Sequence, residues 1–208
     1  MSDIAITSHE HTPHDESGHD LAPHIKANRA RSGVLLFMVT DVVMVISVLA
    51  AGGWLSALNV NGVFKAPTDQ PSFPPGLVVA ILMVVSALCY LVYDRAVRRG
   101  AGATVFFVLA LVLVIAALAV QSWSWTTLGY TTAPTDTPAY DAFQSLVILV
   151  AAFNSVHIFV LSVIGLLLGG RIINGRIAGH EFIPQVVGYW WYYTVISGVI
   201  LWLFLRVF

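Results

Sequence analysis

Two titratable side chains, Asp41 and His157, lie deep inside long apolar stretches of the sequence. Asp41 comes about ten residues after its stretch begins, a depth of about 15 Å in a helix that rises 1.5 Å per residue. His157 lies about sixteen residues beyond Asp141 in another stretch, at a comparable depth. An ionised carboxylate at the centre of a bilayer costs at least about 2.5 kcal/mol. Asp41 must therefore be protonated, paired or hydrated, and we predict that His157 is its polar partner.

Two interpretations of these residues are open at the level of sequence. In the first, Asp41 is a protonatable site, because carboxyl groups inside membranes are functional candidates by default. In the second, Asp41 is a neutral acid that is satisfied separately, for instance by Thr40, Ser155 or a backbone carbonyl, and His157 is a packing residue. Both interpretations place Asp41 in a hydrogen bond, but only the first gives its carboxyl group a role with protons.

The other histidines are concentrated in a polar segment at the start of the chain. Residues 1–30 lack the basic start and apolar run of a signal peptide, and we predict a disordered tail. The histidines of this tail are His9, His11, His14, His19 and His24. Imidazole groups can bind a transition metal, but the irregular spacing and the Asp, Glu and Ser content favour a plain solvated tail. Since the apolar stretches hold a single histidine, we expect no haem, copper or other redox cofactor in this chain.

Membrane-spanning helices must position Asp41 and His157. Of the 208 residues, 58% are hydrophobic and 10% are charged, whereas roughly a quarter of a soluble domain is charged. Five apolar stretches, each near the roughly 20 residues that a helix needs to cross hydrocarbon, cover residues 32–58, 76–94, 102–122, 142–169 and 186–206. Strands are excluded because an open sheet edge in lipid leaves backbone groups unpaired. We predict an all-α, polytopic membrane bundle of five transmembrane helices over residues 31–208, with a tight turn at 94–99 and a loop at 171–181.

Basic residues are distributed unevenly between the two ends of these helices. Only Lys65 and Arg206 fall on one side. The other eight fall on the opposite side: Lys26, Arg29, Arg31, Arg95, Arg98, Arg99, Arg171 and Arg176. The positive-inside rule then predicts a cytoplasmic N-terminus and a C-terminus outside. The formal net charge of −1 indicates no nucleic-acid partner.

The first helix resembles a motif of subunit III of the haem–copper respiratory oxidases, which include cytochrome c and quinol oxidases. The first conserved helix of that family carries a small hydroxyl residue followed by an acid, within a pattern like Gly-hydrophobic-Phe-hydrophobic-Ser-Glu/Asp. In this chain the stretch begins at Gly33, includes Phe37 and ends in Thr40 and Asp41. By this resemblance, Asp41 occupies the buried carboxylate position of the family.

The later helices resemble the same family. Its penultimate helix normally reads Phe-Phe-x-Leu-Thr-Gly-x-His-Gly-x-His, and this chain keeps the second histidine as His157 with Asn154 in place of the first. Its last helix usually opens Tyr-Trp-His-Phe-x-Asp-x-x-Trp, and the chain keeps Tyr189 and Trp190. The third helix of short forms ends in a glutamine before an aromatic-rich exit, as Gln121 does here. The resemblance covers residues 30–208 and is to a divergent member of the short, five-helix form.

The resemblance implies an accessory subunit without a redox centre, in a terminal oxidase that reduces oxygen to water and pumps protons. Such a subunit packs against the catalytic subunit I and other oxidase subunits, binds phospholipid and supports proton uptake, while haem and copper lie in the partner subunits. The implied location is a bacterial cytoplasmic membrane. The implied proton- or lipid-related residues are Thr40, Asp41, Asn154 and His157, and the implied helix-packing motif is Tyr189 with Trp190.

Two rival functions fit parts of the same sequence. Asp41 and His157 could form the proton relay of a small proton-coupled transporter, although secondary transporters are usually longer, with repeats and broken helices around a midplane site. A haem-binding membrane anchor would need two facing imidazoles for a bis-histidine haem, and the apolar stretches offer only His157.

Overall fold

Five long helices form the structure, which is a computed structural model that describes residues 23–58, 64, 73–127, 142–177, 180 and 182–207. The helices are α1 (Pro23–Ala57), α2 (Phe73–Arg98), α3 (Thr104–Thr127), α4 (Ala142–Ile173) and α5 (Phe182–Val207). Each is long and apolar enough to cross a membrane. Over the described residues, the prediction of an all-helical protein with five membrane-length helices is confirmed, and we conclude that the chain is an integral membrane protein.

The helices extend beyond the apolar stretches that predict them. Helix α1 begins at Pro23, inside the segment that the sequence assigns to the tail. Proline is favoured at the first position of a helix because its missing N–H is not needed there and its φ angle is already helical. Residues 1–22, which contain most of the tail's histidines, and Lys65 lie outside the described residues.

The tight turn predicted at 94–99 is wrong in its position, because Asp94 and Arg98 belong to the last turns of α2. The Arg98 guanidinium donates to Asp94 Oδ2 through Nη2 at 2.7 Å and through Nε at 3.0 Å. Residues four apart share one face of a helix, so this ion pair supports the helical extension. Helix α2 ends instead at Arg98 and is followed by a Schellman cap at Gly100, which has a φ of 69°. The N–H of Gly100 bonds to the Val97 carbonyl, and the N–H of Ala101 bonds to the Ala96 carbonyl.

Helix α4 ends in the same way at Gly175, which has a φ of 66°. The N–H of Gly175 bonds to the Ile172 carbonyl, and the N–H of Arg176 bonds to the Arg171 carbonyl. Arg171 is therefore part of α4, and the loop predicted to start there begins several residues later.

Helices α2, α3, α4 and α5 form the compact part of the bundle, and Trp191 of α5 lies at its centre. The Trp191 side chain is fully buried and its Nε1 donates to Ser86 Oγ of α2 at 3.0 Å. Ser86 in turn donates to the Ala110 carbonyl of α3 at 2.8 Å, and the Tyr90 ring stacks on Trp191 at 4.4 Å. We refer to Ser86, Tyr90 and Trp191 as the core network, since they join three helices through satisfied polar groups.

Helix α1 lies at the edge of the bundle, mainly against α5 and to a lesser extent against α4. In its most apolar 18-residue window only 6% of residues are buried, against 28% to 44% in the other four helices. Near the start of both helices, Arg31 Nη2 donates to Gln185 Oε1 at 2.7 Å. Near their ends, a Cβ built on Gly52 would lie 2.7 Å from the Phe204 ring. These two contacts show that α1 and α5 run parallel, so the start of α1 and the end of α5 lie at opposite ends of the bundle.

Candidate functional site

Asp41 and His157 meet between α1 and α4, at hydrogen-bond distance. The distance between His157 Nε2 and Asp41 Oδ2 is 2.9 Å. The side chains are largely buried, with 8% of His157 and 13% of Asp41 exposed. The contact that we predicted from their similar depth is therefore confirmed.

Tyr193 of α5 is a third member of this group, and the sequence analysis missed it. Its hydroxyl donates to Asp41 Oδ2, the same oxygen that contacts His157. Tyr193 lies three residues after Trp190, so the two side chains share a face of α5. Extending the predicted Tyr189 and Trp190 motif by one helical turn would have identified it. We refer to Asp41, His157 and Tyr193 as the Asp41 site, which joins α1, α4 and α5.

The other nitrogen of His157 determines which protons the site holds. His157 Nδ1 lies 2.8 Å from the Phe153 carbonyl oxygen. A carbonyl oxygen can only accept a hydrogen bond, so Nδ1 carries a proton. The Nε2 atom then either accepts a proton from a neutral Asp41 or, as part of an imidazolium, donates to the Asp41 carboxylate. In both arrangements one proton lies between Nε2 and Oδ2, and the pair has no net charge.

Aromatic rings surround the His157 imidazole. The Phe153 ring lies 4.1 Å from it at an interplanar angle of 35°, and the Trp190 ring lies 5.4 Å from it at 20°. The Phe37 ring of α1 lies 5.1 Å from that of Trp190. These apolar neighbours lower the local dielectric, which strengthens the interaction between the two titratable groups and disfavours any state with net charge.

The residues that were considered as separate partners for Asp41 are engaged elsewhere. Thr40 is exposed, and its hydroxyl donates to the Leu36 carbonyl of its own helix at 3.1 Å. The Ser155 hydroxyl likewise donates to the Ala151 carbonyl, at 2.7 Å. The structure therefore favours the Asp41–His157 pair over separate satisfaction by these hydroxyl groups.

Two further residues singled out from the sequence, Asn154 and Tyr189, lie outside the Asp41 site. Asn154 Nδ2 donates to Gln121 Oε1 of α3 at 3.3 Å, whereas His157 contacts Asp41 of α1. Tyr189 is half-buried in α5, one turn before Tyr193. Of the predicted residues, the structure thus brings together Asp41, His157 and Trp190 and leaves Thr40, Asn154 and Tyr189 apart from them.

The arrangement can hold one proton in a neutral, largely buried, three-helix contact. Among the described residues, no group of three or more His, Cys, Asp and Glu side chains is placed to hold a metal ion. No protein-family model matches the chain, and a search of curated proteins finds no match to it.

Proposed function

We propose that this protein is an accessory, non-redox subunit of a proton-pumping haem–copper terminal oxidase. The observation that supports the proposal is the hydrogen bond between Asp41 and His157. These are the two positions at which the chain keeps the buried carboxylate and the second histidine of the subunit III pattern. The two side chains come from separate helices and touch, and this contact is what supports the proposal.

In this proposal the Asp41 site fastens the edge helix α1 to the bundle while keeping one proton inside the membrane. The site is neutral, so it avoids the cost of an isolated charge in hydrocarbon. The subunit acts by packing against the catalytic subunit I and other oxidase subunits, by binding phospholipid and by supporting proton uptake. Haem and copper belong to the partner subunits.

Co-purification tests this assignment directly. The full chain, tagged and purified from the membranes in which it is native, should bring down haem-bearing subunits with an oxidase absorption spectrum. The Asp41→Asn variant should retain less of them, whereas Ser47→Ala, whose hydroxyl bonds only to the Val43 carbonyl of its own helix, should retain as much as the wild type. Purification without any haem protein would contradict the proposal, and so would a stoichiometric b-type spectrum from the chain expressed alone.

The proposed orientation places the start of α1 in the cytoplasm of a bacterial cell and the end of α5 outside. It is supported by the basic residues at the start of α1 and at the ends of α2 and α4. A reporter fused after Phe208 should report the outer side, and one inserted at Arg98 should report the cytoplasm. A cytoplasmic reporter after Phe208 would contradict this orientation.

The alternative is a small proton-coupled transporter, and the largely buried contact between Asp41 and His157 is the observation that favours it. Reconstitution separates the two functions. Vesicles that contain only the purified chain and a pH-sensitive dye should show no proton flux beyond that of empty vesicles. A flux that the Asp41→Asn variant abolishes would favour the transporter and count against the accessory subunit.

A further inference from the structure

A partly enclosed pocket of about 100 Å³ lies between α2, α3, α4 and α5, on the opposite side of α5 from the Asp41 site. Its lining includes Pro75 at the start of α2 and Arg206 at the end of α5, so it reaches the end of the bundle. It also includes Thr194, which lies about 18 Å from Arg206 along α5 at 1.5 Å per residue. The pocket therefore extends from one end of the bundle toward the middle of the membrane-spanning region.

Polar side chains converge in the deep part of this pocket. Thr194 is 1% exposed, and its hydroxyl has no hydrogen-bond partner among the described residues. Gln121, Ser124 and Asn154 also line the pocket. Gln121 Oε1 accepts from Asn154 Nδ2 at 3.3 Å, and Gln121 Nε2 donates to Ser124 Oγ at 3.5 Å. These bonds leave one amide N–H and further lone pairs on each of the two amide side chains.

The packing of α5 keeps the Asn154 amide at this position. A Cβ built on Gly198 would lie 2.8 Å from Asn154 Oδ1, so any larger residue at position 198 would displace the amide. At the end of the bundle, a Cβ on Gly76 would lie 2.6 Å from Trp202 Nε1. Two glycines thus allow the Asn154 and Trp202 side chains to approach their neighbouring helices closely along the walls of the pocket.

We propose that this pocket binds a small cluster of ordered water molecules inside the membrane-spanning bundle. A volume of about 100 Å³ is well above the roughly 10–15 Å³ that one water needs, so it has room for several waters, and a buried water needs two to four polar partners. Thr194, Gln121, Asn154 and Ser124 supply such partners, and a water also satisfies the buried Thr194 hydroxyl. The ligand is neutral because no charged side chain lies in the deep part of the pocket. The proposal does not depend on the oxidase assignment.

Radiolytic hydroxyl-radical footprinting of the purified full chain tests the proposal, because radicals formed from bound water oxidise the side chains beside it. Met83 lines the pocket and is 4% exposed. Methionine oxidises readily to the sulfoxide. We expect Met83 to be oxidised several-fold faster than Met38, which is less buried than Met83 and packs against the core without lining the pocket.

Filling the pocket provides the control for this measurement. Ala151 and Ala80 both line the pocket, and either Ala151→Leu or Ala80→Leu should reduce Met83 oxidation to the rate of Met38. The second variant replaces the first if the first does not fold. If Met83 in the wild type is oxidised no faster than Met38, the proposal is overturned. Such a result would indicate a pocket without water, for example one that is filled by a lipid acyl chain. Unchanged oxidation in a folded, filled variant would also overturn it.

The Thr194→Val variant gives an independent test through the sign of its effect. If water occupies the pocket, the nearly isosteric valine removes a hydrogen bond and should lower the midpoint of thermal unfolding by about 2–4 °C. If the pocket is dry, the same change removes an unsatisfied hydroxyl and should raise the midpoint, which would contradict the proposal. Thr194→Ser keeps the hydroxyl and should keep Met83 oxidation at the wild-type rate.

Discussion

Adjacent residues of α5, Trp190 and Trp191, belong to two polar regions of opposite character. Trp191 lies in the core network, where the polar groups are neutral and fully buried, and where the indole and the Ser86 hydroxyl each have a partner. Trp190 covers the Asp41 site, where the polar groups are a carboxyl, an imidazole and a phenol and the carboxyl remains 13% exposed. The first region joins helices that are already well packed, whereas the second joins α1, which buries little of its apolar surface.

The difference indicates a division of roles between the two faces of α5. A neutral, satisfied network adds to a core whose stability comes mainly from packed aromatic and aliphatic surface. A titratable pair is costly to bury, and helix packing by itself would be served as well by apolar side chains. Its presence at the edge of the bundle is the reason why we propose a role beyond folding for the Asp41 site and not for the core network.

The largest expected effect comes from breaking the core network. Trp191→Ala removes a fully buried indole that packs against Tyr90 and Phe107. Removal of a large aromatic side chain from a core costs about 3–5 kcal/mol, so we expect a large fall in the free energy of unfolding, measured in detergent by circular dichroism. Trp54→Ala is the control, because Trp54 is 69% exposed and should tolerate the change. Equal losses for the two variants would mean that α5 does not have its buried face at Trp191.

An intermediate effect is expected from the tyrosine of the Asp41 site. Tyr193→Phe removes the hydrogen bond to Asp41, and hydrogen bonds between membrane helices are worth about 0.6 kcal/mol on average and up to about 1.7. We expect a destabilisation of about 1 kcal/mol in the same assay.

The neighbouring tyrosine supplies a matched control for this variant. The Tyr192 hydroxyl is buried without a hydrogen-bond partner among the described residues. Tyr192→Phe should therefore be neutral or slightly stabilising, since it removes an unsatisfied polar group. The same loss in both variants would show that the Tyr193 hydroxyl does not contribute through Asp41.

The smallest expected quantity is the coupling between Asp41 and His157. In a double-mutant cycle, Asp41→Asn and His157→Gln should couple by on the order of 0.5 kcal/mol or more, because the two side chains are in direct contact. The comparison cycle pairs Asp41→Asn with Ser162→Ala, a buried hydroxyl that bonds to the Ile158 carbonyl of its own helix. If the effects in the first cycle are additive, Asp41 and His157 do not stabilise each other, and Asp41 is only a buried neutral acid.

The sequence by itself determined the membrane character of the chain, the five helices and the depth of the two titratable residues. These properties depend on local composition, because about 20 apolar residues in succession are enough to specify a membrane-spanning helix. Depth follows from counting along such a helix, and two polar groups at one depth in hydrocarbon have few partners other than each other. The contact between Asp41 and His157 could therefore be predicted without knowing how the helices pack.

Only the tertiary structure decided which faces of the helices meet. The helices are apolar around most of their circumference, so the sequence pattern does not distinguish a face that contacts lipid from a face that contacts another helix. Successive residues of a helix are rotated by about 100°, so Tyr193 faces the Asp41 site and Thr194 faces the pocket. The sequence does not specify how α5 as a whole is oriented about its axis. That orientation is set by close packing, such as the contact of Gly198 with Asn154 and the insertion of Trp191 beside Ser86. Such packing depends on the shapes of residues far apart in the chain, which no local pattern contains.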